Sequence, residues 1–127
     1  QKFAKSKNVI WITVISSAEG KQGYIQPNDA VDTFASFGSF PDHILVDENG
    51  DLGKKFNAKT TPHIFIADKN KNIVYQGAID DAGGTKFWTT DLNQSTNFVK
   101  KVVNDIKSNK PPSVSKTRPY GCSVKYG

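Results

Sequence analysis

The sequence predicts a mixed α/β fold with one modest core, on three observations. Val9-Ile10-Trp11-Ile12-Thr13-Val14-Ile15 is a near-continuous apolar, β-branched run. Such a run reads as a strand buried on both faces, in a parallel sheet covered by helices. Residues 63–67 and Asn72–Gly77 flank the turn residues Asp68-Lys69-Asn70-Lys71 and read as an antiparallel hairpin. Phe98, Val99, Val102, Val103 and Ile106 fall at helical spacing, the mark of an amphipathic helix. Parallel crossover elements therefore come first, and a hairpin with a covering helix comes last. That order predicts a mixed sheet with flanking helices.

Taken in order, Gln1 to Lys7 read as the last turns of a helix, and the Val9–Ile15 strand follows. Ser16 to Tyr24 form a loop punctuated by Gly20 and Gly23. Pro27-Asn28-Asp29-Ala30 opens a helix with Val31, Phe34 and Ala35 on its apolar face and Phe37-Gly38 at its stop. His43–Val46 is a short strand, and Asp47-Glu48-Asn49-Gly50-Asp51 is turn chemistry. Its acids resemble a calcium loop, but the glycine comes too early for one, so the turn leads into a short helix from Asp51 to Ala58. Leu52 and Phe56 lie four apart on one face of that helix. The hairpin comes next, then an irregular loop from Ala78 to Thr90 holding Asp80-Asp81, Gly83-Gly84 and Trp88, then a helix from Asp91 to Ser108. Pro111-Pro112 stops the helix, and Ser113 to Gly127 form a tail without periodicity. Asn93-Gln94-Ser95 matches a glycosylation acceptor, which on a helix reads as chance. Trp11 reads as core and Trp88 as a loop anchor.

The 127 residues suffice for one domain. No apolar run approaches the roughly 20 residues of a membrane helix. The lack of methionine predicts a mature form or a fragment of a longer protein. The net charge of +5 is concentrated in residues 98–127, which hold seven Lys or Arg against Asp105 alone. No arginine cluster accompanies the lysines, so this reads as a solvated helix face and polar tail, not a nucleic-acid surface. Anion or nucleic-acid binding by this basic segment is the weaker reading.

Thr60-Thr61-Pro62-His63 carries the clearest positional signal. Proline lacks a backbone donor and belongs at a strand's first residue, an edge or a bulge, and the residue before it is pushed to extended geometry. His63 follows it on the strand and reads as a packed or hydrogen-bonded histidine rather than a base. Cys122 is the single cysteine, which excludes an intramolecular disulfide and a zinc site with two Cys ligands. It sits in Tyr120-Gly121-Cys122-Ser123, after a proline and a glycine that force a turn. Two readings stand: a small buried apolar group, or a redox thiol whose thiolate Arg118 and Lys125 favour. His63 and His43 have no serine elbow or clustered acid beside them, so a hydrolytic triad has no support, and no metal-ligand spacing or phosphate loop appears.

This order of elements, with Thr-Pro opening the first hairpin strand, resembles the thioredoxin fold. Val9–Ile15 with Ser16–Tyr24, Asp47–Gly50, Ala58–His63, Gly77–Asp81 and the tail Thr117–Tyr126 resemble its redoxin branch, the AhpC/TSA-type proteins. The resemblance implies a cis bond at Pro62 beside a redox-active cysteine. It also implies that Thr61, Pro62 and His63 line a substrate site where backbone pairs with a bound peptide or thiol. Members carry a strand and a cysteine-motif helix upstream of the residues matched here. In this sequence that nucleophile is absent, so the expected fold is thioredoxin-like and N-terminally truncated, with the middle strand missing.

These readings divide the chain into a thioredoxin-like domain over residues 1–110 and a tail over 111–127 carrying Cys122. The implied function is part of a redoxin, a thiol–disulfide oxidoreductase or thiol peroxidase in its complete form, with Cys122 as a second thiol. The rival is a non-catalytic thioredoxin-like module that binds a peptide or protein. Neither reading calls for a cofactor or metal. Expected partners are a thiol or disulfide protein or a peroxide, together with a second copy or strand-donating chain, and neither nucleic acid nor membrane. Relatives of this kind are frequently exported, whereas the sequence itself leaves the compartment open.

Overall fold

A computed structural model describes residues 2–81 and 96–127 and gives a mixed α/β protein. Its contacts divide into two compact units, one running to Ala58 and including Val124–Gly127, the other Lys59–Ser123. The expected residues Gly83, Gly84 and Trp88, the start of the last helix at Asp91, and the Asn93-Gln94-Ser95 motif lie outside the described residues.

In the first unit, helix α1 (Lys2–Ser6) leads through Asn8, at φ +57°, into strand β1 (Ile12–Ile15). β1 is shorter than the apolar run because the Trp11 N–H is taken by the Asp42 carboxylate at 2.7 Å instead of by a strand partner. β1 pairs in parallel with β2 (His43–Val46), setting Ile12 against His43 and Val14 against Leu45. Between them lie a 3₁₀ turn at Pro27–Asp29 and helix α2 (Ala30–Ser36).

The expected burial on both faces of β1 is not found. Ile15 is buried, but Ile12 is 52% and Val14 40% exposed, as is Leu45 across the ladder at 44%. Side chains alternate across a strand, so these three share one open face. The apolar run reports β-propensity and says nothing of which layer covers it. Val31, expected on the inner face of α2, is also exposed, and only Ala30 of that helix is buried.

The short helix α3 (Asp51–Lys55) ends earlier than expected, with Asn57 at φ +57° beyond it. Asp47 begins it, accepting N–H bonds from Leu52 at 3.1 Å and Gly53 at 2.8 Å, with the Ser16 hydroxyl also at 2.8 Å. Partial burial pushes the Asp47 carboxyl up, but these bonds together outweigh it and hold it below the usual carboxylate range. The end of the chain closes over this helix. Lys125 accepts from Ala18 N–H, Tyr126 donates to the Ala58 carbonyl at 2.8 Å, and Lys54 Nζ sits 5.3 Å from the Tyr126 ring centroid.

In the second unit, β3 (Thr60–Thr61) precedes the hairpin β4 (Ile64–Ala67) and β5 (Ile73–Gly77). Asp68 makes the turn, accepting the Asn70 and Asn72 N–H groups, as its turn chemistry predicted. Among the described residues helix α4 spans Phe98–Lys107. Asn97 is extended and caps it through Lys100 N–H at 2.9 Å, while Thr96 and Asp81 bond reciprocally outside it. Val99, Val102 and Val103 of α4 are buried, and so are Tyr75 and Ala78. Among the described residues the strands form three two-stranded ladders, β1–β2, β3–β6 and β4–β5, with β6 being Cys122–Ser123. No helix among them is long and apolar enough to cross a membrane.

Candidate functional site

The residues read as tail do not lie free of structure. Ser115 to Thr117 run parallel along β5: Ser115 accepts from Gln76 N–H, and Thr117 N–H returns a bond to the Gln76 carbonyl at 3.0 Å. A part-buried ring of three hydrogen bonds fixes this segment. Ala78 N–H donates to Thr117 Oγ1 at 2.9 Å, and the Tyr75 hydroxyl donates to the Ala78 carbonyl. Thr117 Oγ1 and Tyr75 Oη lie 2.7 Å apart, and since the tyrosine proton is already committed, the threonine donates. Gly77, at φ +144°, has Thr117 where a Cβ would stand, so only glycine permits this approach.

From Thr117 the chain passes Tyr120, whose hydroxyl donates to Asp80. Burial, then the bond to Asp80 and the charges of Asp80 and Asp81, push the tyrosine up to about 12, so it stays a donor at any physiological pH. Gly121 follows at φ +139°, with the Thr61 carbonyl and the Pro62 ring against the position of its absent Cβ. β6 then pairs antiparallel with β3, placing Cys122 opposite Thr61 and Ser123 opposite Thr60. The Thr61–Pro62 bond is cis, as the resemblance implied.

The structure thus brings together four residues singled out from the sequence. Thr61 and Pro62 form a wall, Cys122 stands across the ladder from Thr61, and His63 follows the proline. Cys122 is exposed, which removes its reading as a small buried apolar group. The backbone at Thr61, expected to face outward toward a bound peptide, is paired by the chain's own Cys122 segment. His63 is half-buried, stacks on Phe65 at 4.4 Å, and accepts the Lys59 N–H on Nδ1 at 3.2 Å, which leaves its proton on Nε2. Burial lowers its pKa, and the charge of Lys59 lowers it further, so it is neutral at pH 7. That is the packed, hydrogen-bonded histidine the sequence suggested. Gly121 and Thr117 were missed as site residues. Gly121 was legible only as a turn former, and Thr117 lies in a stretch with no pattern.

Lys59, Thr60, Lys116, Thr117, Arg118 and Pro119 wall a cavity of about 650 Å³ beside this ladder. Among the described residues no group of three or more His, Cys, Asp or Glu is placed to hold a metal ion.

No protein-family model and no curated protein matches the sequence. The fold is similar to that of a hypothetical protein from Sinorhizobium meliloti 1021, with a TM-score of 0.80 and 20% identity over 98% of this chain and 65% of that one. An uncharacterized conserved protein from Geobacillus kaustophilus gives the same TM-score of 0.80 and 20% identity over 99% of this chain and 66% of the other. At that identity the likeness is one of fold alone. The chain spans just under two thirds of the length of these solved structures.

Proposed function

We propose that this chain is part of a thioredoxin-like redoxin whose complete form carries out thiol–disulfide exchange or thiol-dependent peroxide reduction. The observation that carries the reading is the antiparallel pairing of Cys122 with Thr61, which holds an exposed thiol against the Thr-Pro wall. Cys122 acts as the second thiol. The chain has one cysteine, so the first comes from outside these 127 residues. In peroxide reduction that first thiolate attacks one peroxide oxygen, an S–O bond forms as the O–O bond breaks, and with uptake of one proton an alcohol or water leaves and the sulfur becomes a sulfenic acid. The Cys122 thiolate then attacks the sulfenic sulfur, an S–S bond forms, and water leaves as the S–O bond breaks with uptake of one proton. In disulfide exchange the first thiolate attacks the substrate disulfide and releases one substrate thiolate, leaving a mixed disulfide; the Cys122 thiolate then attacks the sulfur of the first thiol, forms an S–S bond with it and releases the other substrate thiolate.

The peptide-binding alternative is less well supported. A groove along Thr60–Thr61 already holds the chain's own β6. Peroxide and protein-disulfide reduction by the protein as it occurs in cells, with and without Cys122→Ser, tests the proposal. Turnover that stalls in the variant with the first thiol trapped as sulfenic acid or mixed disulfide is expected. Absence of turnover on both substrates contradicts it.

A further inference from the structure

We propose that the cavity walled by Lys59, Thr60, Lys116, Thr117, Arg118 and Pro119 binds a multivalent oxyanion, at a site separate from the Cys122 thiol. Three of its six lining residues are cationic and none is acidic. Among the described residues no ion pair neutralises Lys59, Lys116 or Arg118. Both walls have fixed backbones. Lys59 N–H is bonded to His63 and Thr60 is paired with Ser123 on one wall. On the other, Lys116 bridges to Gln76, and Thr117 is held by Gln76, Tyr75 and Ala78.

The two threonine hydroxyls are already used, Thr60 Oγ1 on the Pro62 carbonyl at 2.8 Å and Thr117 Oγ1 within the Tyr75–Ala78 ring. Recognition therefore falls to the cations. The arginine offers a planar fork suited to a bidentate oxyanion, and the lysines are point charges. A cavity of about 650 Å³ lies in the range of multi-group ligands, roughly 300–1,000 Å³, well beyond one phosphate or carboxylate. Three cationic residues around such a volume fit a ligand bearing two or three anionic groups. Thr60 lines the cavity, but neither its neighbour Thr61 nor Cys122, the ladder partner of Thr61, does, so the thiol lies outside the cavity wall.

Titration calorimetry with inorganic pyrophosphate and with citrate, at ionic strength fixed by sodium chloride, tests this. Saturable one-to-one binding of at least one of them is expected, and the tighter of the two assigns the oxyanion as phosphate or carboxylate. The Lys116→Gln/Arg118→Gln variant should weaken binding at least about tenfold, since charge-assisted contacts are lost. Lys59→Gln, on the other wall, should weaken it by a similar factor. Lys107→Gln/Lys110→Gln removes the same charge from the end of α4 and the residues just after it and should leave the affinity within about twofold. Cys122→Ser should leave it unchanged, which separates this site from the redox reading. No saturable binding of either probe, or equal weakening by the α4 variant, overturns the proposal, and loss of binding in Cys122→Ser overturns its separateness from the thiol.

Discussion

Single side chains hold the tail in place, and Thr117 is the first of them. Its hydroxyl satisfies the Ala78 N–H and the Tyr75 hydroxyl at once. Thr117→Val keeps the shape but leaves a buried donor unpaired, which costs about 2 kcal/mol. Urea unfolding of the variant should show that loss with an unchanged m-value. His63 predicts a pH effect. Its folded pKa lies below its ordinary value, so the folded state binds fewer protons than the unfolded one. Its contribution is fully present above about pH 6.5 and is lost as pH falls through that value toward the lower, folded pKa. Stability of the native chain should therefore fall between about pH 7.5 and pH 5.5, and His63→Gln should flatten part of that slope. A slope identical in the two proteins contradicts the assignment. Of these residues His63 was legible, because its place after a proline on a strand already argued for packing over catalysis. Thr117 was not, because a threonine in aperiodic sequence carries no sign of its partners.

Elements divided along the same line. β1, β2, the β4–β5 hairpin and α4 were legible from runs of four or more residues with a period or a turn signal. β6 and the parallel Lys116 bridge were not, since pairings of two or three residues are too short to show a period. Burial departs from the apolar pattern where composition stands in for a covering layer, as at Ile12, Val14 and Val31. The β3–β6 pairing can be tested covalently. Residues directly opposite in an antiparallel pair have Cβ atoms about 4.5–5.5 Å apart, close to disulfide reach. Thr61→Cys should form an intramolecular disulfide with Cys122 on mild oxidation, read as a loss of about two mass units, whereas Lys69→Cys in the hairpin turn should not. Helix α3 gives a second test. Alanine is ordinarily the better helix former by about 1 kcal/mol. At Gly53, however, a Cβ would stand 2.7 Å from the Tyr126 hydroxyl, 2.8 Å from Ser16 Oγ and 2.9 Å from the Tyr126 ring. Both neighbours are pinned by their own hydrogen bonds, so displacement outweighs propensity. Gly53→Ala should destabilise by about 1–2 kcal/mol in chemical denaturation.

On the scale of the whole molecule, the mixed α/β class followed from the order of elements, and the fold likeness to two longer bacterial proteins agrees with it. The candidate site was legible as separate residues, Thr61, Pro62, His63 and Cys122, but not as one place. What joins Thr61 to Cys122, 61 positions further along the chain, is a long-range pairing that no local pattern announces. The basic character of residues 98–127, read as a solvated face, is partly gathered by the same pairings. Lys116 and Arg118 meet Lys59 at one cavity. The chemistry proposed for the molecule rests on Cys122 changing redox state during turnover. The most direct measurement is its alkylation by iodoacetamide, read by peptide mass spectrometry on the protein as it occurs in cells, before and after one equivalent of peroxide or of a protein disulfide. The account predicts that Cys122 alkylates fully in the reduced protein, is protected after oxidation, and becomes reactive again with dithiothreitol. A Cys122 that alkylates to the same extent at every stage, while the protein turns over substrate, contradicts it.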